Sequence, residues 1–218
     1  MPKGEGDGRY RNRIDRPQGL SCRIRFGGIA PARRLLERAT GNAFARLTAE
    51  NGFWDSSVAR LGLPDILGSR GGTLEGMLVS ALFRERLQRR LSRVAEAGAR
   101  RAAPVVADAV RTVGTQNAAT ILKGGPQAAT ALLRGQMAGG LIPVLVPALG
   151  DALRLANDPL LSQVLASATG VDVGSLARDM ADDVDNAIWR EIGLAEEQIR
   201  ADPESTSDAL LIAALRGL

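Results

Sequence analysis

An all-α fold is what this 218-residue sequence predicts, on three observations. Apolar residues make up 45% of the chain but aromatic ones only 3%, so a core must be built from Leu, Ala, Val and Ile. A β-sandwich would draw on more Val, Ile, Thr and aromatic side chains. Leu and Ala recur at helical spacings of three and four, and no stretch alternates apolar with polar residues as a half-buried strand does. The expected architecture is a single irregular multi-helix bundle over 33–216, with two long helices and Gly/Pro-punctuated short ones between them. Residues 1–30 are rich in Gly, Arg and Pro without a period, and are expected to form a disordered basic arm.

A helix over 31–49 starts with Pro31 in its first turn and repeats Leu35, Leu36, Ala39, Ala43 and Leu47. Residues 51–72 read as a long connection with short ordered pieces, extended at Leu63-Pro64 and pinned to the core by Phe53 and Trp54. A long helix over 74–99 carries one apolar stripe, Leu74, Leu78, Ala81 and Leu82, continued by Leu87, Leu91, Val94 and Gly98. Pro104 is expected to start a separate helix, 104–113, and Thr115 to cap a short one ending at Lys123. Gly124-Gly125 break the chain, Pro126 opens a helix to about 138, and Gly139-Gly140 end it. The next helix begins either at Pro143, kinking at Pro147, or at Pro147 itself. Asp158-Pro159 is an N-cap and N1 pair for a helix to about 169. Ser175 caps the second long helix, 176–200, whose stripe is Met180, Val184, Ala187, Ile188, Ile192, Ala195 and Ile199. A last helix covers 206–216.

The net charge of +4 is uneven. Residues 1–38 hold ten Lys/Arg against four acids, a balance of +6, so the rest sums to −2. The basic character belongs largely to the N-terminal part of the chain, and the near-neutral body argues against a nucleic-acid-binding domain. The single cysteine, Cys22, excludes an intrachain disulfide and leaves the redox compartment open. The longest apolar run, Met137 to Gly150, is too short to span a bilayer and is broken by Gly and Pro.

Histidine is absent, which removes Ser-His and Cys-His nucleophile pairs, His-based zinc motifs and imidazole acid–base work. No catalytic residue, metal site or cofactor is assigned, and the chain is read as a non-enzyme. Three clusters carry candidate chemistry. Lys123, Gly124 and Gly125, with Arg134 further on, have the composition of a phosphate loop: a helix N-terminus beside a lysine can hold an anion. Their order is wrong for a Walker loop, because the lysine precedes the glycines, so the other reading is a tight helix–helix corner with glycines at positive φ. Arg84, Arg86, Arg89, Arg90 and Arg93 form a basic helix face able to meet nucleic acid or anionic lipid, although Glu85 and Glu96 interrupt it and no aromatic residue is interleaved. Asp179, Asp182, Asp183 and Asp185 read as a solvated acidic face near a helix N-terminus rather than a cation site.

Four segments, in one order, resemble the bacterial domain-of-unknown-function 4197 family: NGFWDSSVARLGLPDIL (51–67), RVAEAGARRAAPV (93–105), ILKGGPQAATALLR (121–134) and AIWREIGLAEEQIRADP (187–203). Leu132 and Leu133 stand where that family's pattern expects aromatic residues. The resemblance implies an all-helical domain and no catalytic residues. It also implies the periplasm or cell envelope, since members usually begin with an export signal; this N-terminus shows none, which leaves the cytoplasm as the alternative. The expected function is a non-enzymatic binding or structural module of the envelope, with a lipid or a protein as partner. The alternative is polyanion binding through the arm and the arginine face.

Overall fold

The computed structural model describes residues 29–62, 80–114, 118–137, 139–167 and 171–217, and most of them lie in helices. In order these are α1 (Ile29–Leu47), α2 (Gly52–Asp55), α3 (Ala81–Thr112), α4 (Ala118–Lys123), α5 (Ala128–Gln136), α6 (Ile142–Leu155), α7 (Pro159–Ser167), α8 (Val173–Ala201), a 3₁₀ turn at Pro203–Thr206 and α9 (Ala209–Arg216). No strand occurs among the described residues, and no helix there is long and apolar enough to cross a membrane. The expected stripe positions Leu74 and Leu78, the step at Leu63-Pro64 and the cap at Thr115 lie outside the described residues.

Helix α8 is the centre. It packs against α6, α1, α5 and α3, and its predicted stripe from Met180 to Ile199 is buried throughout. Helix α6 is wedged between the two long helices through Leu145, Leu149 and Leu153. The α3–α6 crossing is set by Gly98: a Cβ there would sit 2.9 Å from a Leu149 methyl and 3.3 Å from a Leu145 methyl. Phe53 is fully buried, pinning the turn after α1 as expected.

Several boundaries differ from the sequence reading for physical reasons. Helix α1 starts at Ile29, so it takes in the last two residues assigned to the arm. Helix α3 runs unbroken through Pro104, where a new helix was expected. Pro104 is exposed, so the carbonyl it leaves without a helical partner lies on the watered side. The same holds for Pro147 inside α6, which begins beside Pro143. Leu82 leaves the expected apolar stripe and is 59% exposed; the stripe that enters the core is Leu87, Leu91, Val94 and Gly98. Helix α8 starts three residues early. Asp172 is its N-cap, accepting from Ser175 N at 2.7 Å, and the Ser175 hydroxyl accepts from Asp172 N at 3.0 Å. Ser175 is therefore the reciprocal partner in a capping box. Helix α9 starts at its cap Asp208, which also binds Arg34 of α1 at 2.7 Å.

Two glycines give opposite expectations. Gly98→Val should lower unfolding free energy by about 2 kcal/mol by overpacking the crossing. Gly41, exposed in α1 with open space at its Cβ, should gain about 0.5–1 kcal/mol as Ala, because the helix no longer carries glycine's backbone entropy. Urea denaturation of both variants checks the pair.

Candidate functional site

The phosphate-loop-like stretch forms the corner between α4 and α5. Its helix N-terminus is occupied from within the chain. Glu196 of α8, fully buried, accepts from Ala129 N at 3.0 Å with one oxygen. Its other oxygen accepts from Thr130 N and from the Thr130 hydroxyl, each at 2.7 Å. Gln127, at the N-cap position, makes no capping bond of its own, so a carboxylate from another helix does that work. Arg200, one turn on, donates to Glu196 at 2.8 Å and to the carbonyl oxygens of Ile121 and Leu122 at 2.5 and 3.1 Å. The pair thus puts an anion on the N-terminus of α5 and a cation on the C-terminus of α4, both favoured by the helix dipoles. Glycine is needed at Gly124 for space: a Cβ would fall 2.2 Å from that of Ala128. The expected positive φ is instead at Gly139 and Gly140, 96° and 61°.

Outside this corner lies an open cleft of about 690 Å³, lined by Lys123, Gly124, Gly125, Pro126, Arg200 and Leu215. Arg134, grouped with these residues in the sequence, is not part of it. It lies near the other end of α5 and donates to Asp185 at 3.2 Å and Asn186 at 2.6 Å. Asp185 is buried, not part of a solvated acidic face. It accepts from Leu141 N and Trp189 Nε1, both at 3.0 Å, and so holds the start of α6. Asp182 and Asp183 are exposed, and no group of three metal-ligating side chains occurs among the described residues. A third buried acid of α8, Glu191, accepts from Arg46 of α1 at 2.5 Å and from the Ser56 hydroxyl at 2.8 Å.

Glu96 of α3 has no such closure. Its Oε1 is buried without a hydrogen-bond partner among the described residues, as is the Ser92 hydroxyl one turn earlier. The nearest cation, Arg100, is 4.0 Å from the other oxygen. Burial pushes the Glu96 carboxyl above its usual range, against the pull of Arg100, Arg93 and the Asn51 N–H.

The arginine face lies on the outer side of α3. Arg86, Arg89, Arg90 and Arg93 line a groove of about 450 Å³ closed by Asp158 and Pro159 at the start of α7. Arg84 is exposed but does not line it. Arg90 pairs with Asp158 at 3.0 Å and Arg89 with Glu85 at 2.9 Å. The aromatic residue missing from the local sequence arrives through the fold: Trp54 meets the guanidinium groups of Arg60 and Arg89, 4.5 and 4.6 Å from its ring centre. The sequence did carry one usable sign of the buried pair, since Glu196 falls among Ile192, Ala195 and Ile199 on the apolar side of α8.

The model of a protein family described as "Protein of unknown function (DUF4197)" matches residues 29–215. No curated protein and no solved structure matches the chain.

Glu196→Ala should cost about 3–5 kcal/mol, because it orphans Arg200 and two N–H groups in the interior. Arg200→Ala should also be strongly destabilising, and the double variant should lose clearly less than the sum of the two, which a double-mutant cycle in urea would read. For Glu96 the sign is opposite. A carboxyl with a raised folded value destabilises the fold when ionised, a cost absent below its unfolded value and fully present above its folded one. Glu96→Gln should therefore melt above wild-type at neutral pH, with the gap closing toward about pH 4.

Proposed function

We propose that this chain, which belongs to the DUF4197 family, is a non-enzymatic binding module that takes an anionic ligand on the arginine-lined outer face of α3. The observation that carries this reading is the convergence of Arg86, Arg89, Arg90 and Arg93 on one groove. Arg89 pairs with an exposed Glu85, a contact that contributes little to stability and opens readily to a competing anion, and Arg90 is itself exposed although its partner Asp158 is largely buried. The buried acids of α8, by contrast, hold helix ends through hydrogen bonds. On this reading Lys123, Gly124 and Gly125 build the α4–α5 corner and its cleft, and Arg134 holds α5 to α8. A setting in the cell envelope rests on the family resemblance alone.

A fluorescent single-stranded oligonucleotide serves as a generic soluble polyanion for the test. Anisotropy titration of the full chain should show affinity that falls steeply with salt. Arg86→Gln, Arg90→Gln and Arg93→Gln combined should weaken binding and lower the slope of log affinity against log salt by about 2. Indistinguishable titrations for the two proteins would discard the groove as the ligand site.

A further inference from the structure

The groove does not stop at Arg93. Positions 82, 86, 90, 93, 97, 101 and 104 succeed one another at spacings of three and four, so they form a single stripe about 33 Å long on α3. From Ala97 onward the stripe borders a second groove, about 510 Å³, lined by Ala97, Arg101, Pro104, Val144, Pro147 and Leu155. The two grooves are neighbours, since Arg93 and Ala97 are one helical turn apart and Leu155 ends α6 just before Asp158. The wall contributed by α6 carries no charge until Asp151, because the helix is apolar on every side over its first nine residues. The core takes Leu145 and Leu149, which leaves Pro143 and Pro147 exposed and Val144 and Ala148 half-exposed. The large hydrophobic side chains exposed among the described residues are Leu82, at 59%, and Leu155, at 83%. Leu82 precedes Arg86 by one turn on α3, and Leu155 stands where the two grooves meet.

We infer that the outer stripe of α3 and the adjoining side of α6 dock on a lipid surface bearing anionic headgroups. The inference rests on the preceding reading in taking the arginines as the anion contact, and goes beyond it in assigning the apolar groups. Among the described residues Arg86, Arg93 and Arg101 form no ion pair, and the pairs of Arg89, Arg90 and Arg154 with Glu85, Asp158 and Asp151 are exposed on at least one side. Cations and apolar side chains sharing one face are what an interfacial helix presents to headgroups and upper acyl chains. A soluble nucleic acid has no use for Leu82, Pro147 or Leu155. It would want open aromatic faces, whereas the Trp54 ring already carries the guanidinium groups of Arg60 and Arg89. A second copy of the chain would bring arginines toward arginines across a two-fold interface. Charge complementarity therefore selects the lipid surface.

Co-sedimentation of the full chain with vesicles tests this. Wild-type protein should sediment with phosphatidylcholine vesicles containing phosphatidylglycerol and stay in the supernatant with phosphatidylcholine alone. The triple Arg86→Gln, Arg90→Gln, Arg93→Gln variant should bind the anionic vesicles about a hundredfold more weakly. Leu82→Ser with Leu155→Ser should lose about tenfold on vesicles and nothing on the oligonucleotide. All five positions are exposed, and circular dichroism verifies the fold. If the leucine variant binds vesicles as wild-type does, or wild-type ignores the anionic vesicles, this inference falls while a soluble-anion role survives through the oligonucleotide result. If the arginine variant changes neither assay, both readings fall together.

Discussion

The fold depends on a carboxylate that has no water. Glu196 lies in the interior of α8, where an isolated charge would cost several kcal/mol, and it persists there because four donors reach its two oxygens. Its partner Arg200 is also bound on its far side, by two carbonyl oxygens at the end of α4. The interaction does what the local sequence leaves undone. Helix α4 has six residues and α5 nine, both too short to persist alone, and α5 has no side-chain cap at its start. Tying the end of one and the start of the next to a single turn of α8 makes the corner a consequence of the central helix rather than of its own residues.

Asp185 repeats the device three turns earlier on α8. It accepts the first N–H of the α6 region and pairs with Arg134 near the end of α5. Helix α5 therefore lies antiparallel along α8, with an acid at each end. Glu191, between them, fixes the end of α1 and the turn after α2 through Arg46 and Ser56. With its start placed by Asp185, α6 offers Leu145 and Leu149 to the core, and Gly98 lets α3 close onto them. The consequence is geometric. Over its first nine residues α6 is apolar all round, so with one side buried between α3 and α8 its other side has to face outward. That side meets the stripe of α3 whose own core face is turned away. The apolar wall and the arginines thus share a face because Asp185 and the Gly98 crossing place α6 against α3.

The sequence made the fold class, the two long helices and most corners legible, because those depend on periodicity and on Gly and Pro. It misplaced Pro104, since a proline breaks a helix by its sterics and missing donor but is tolerated where the freed carbonyl meets water, and exposure is a tertiary property. It took Ser175 for the cap because Asp172 and Ser175 are both good capping residues and only the reciprocal bonds distinguish N-cap from N3. The candidate residues Lys123, Gly124 and Gly125 were legible as a group because they are contiguous, and Arg86 to Arg93 because they recur on one helix. The roles of Asp185 and Glu196 were not, since their partners come from other helices. Nor was the meeting of Trp54 with Arg89, which joins two segments that share no local pattern.

The same geometry answers what the Lys-Gly-Gly-Pro corner does with its resemblance to a phosphate loop. Such a loop needs free N–H groups and a free hydroxyl at the helix start. Here Ala129 N, Thr130 N and the Thr130 hydroxyl are held by Glu196. A phosphate arriving at those groups would compete with a carboxylate of the same chain, present at the effective concentration of a tethered partner. It would also have to expose a charge that Arg200 and two carbonyls keep in place. The exposed arginines of α3 carry no comparable penalty, because Arg86 and Arg93 form no ion pair among the described residues and the partner of Arg89, Glu85, is itself exposed. The proposed anion contact on the outside of α3 meets no such competitor, and the helix N-terminus that looks most like an anion site is the one whose anion the chain itself supplies.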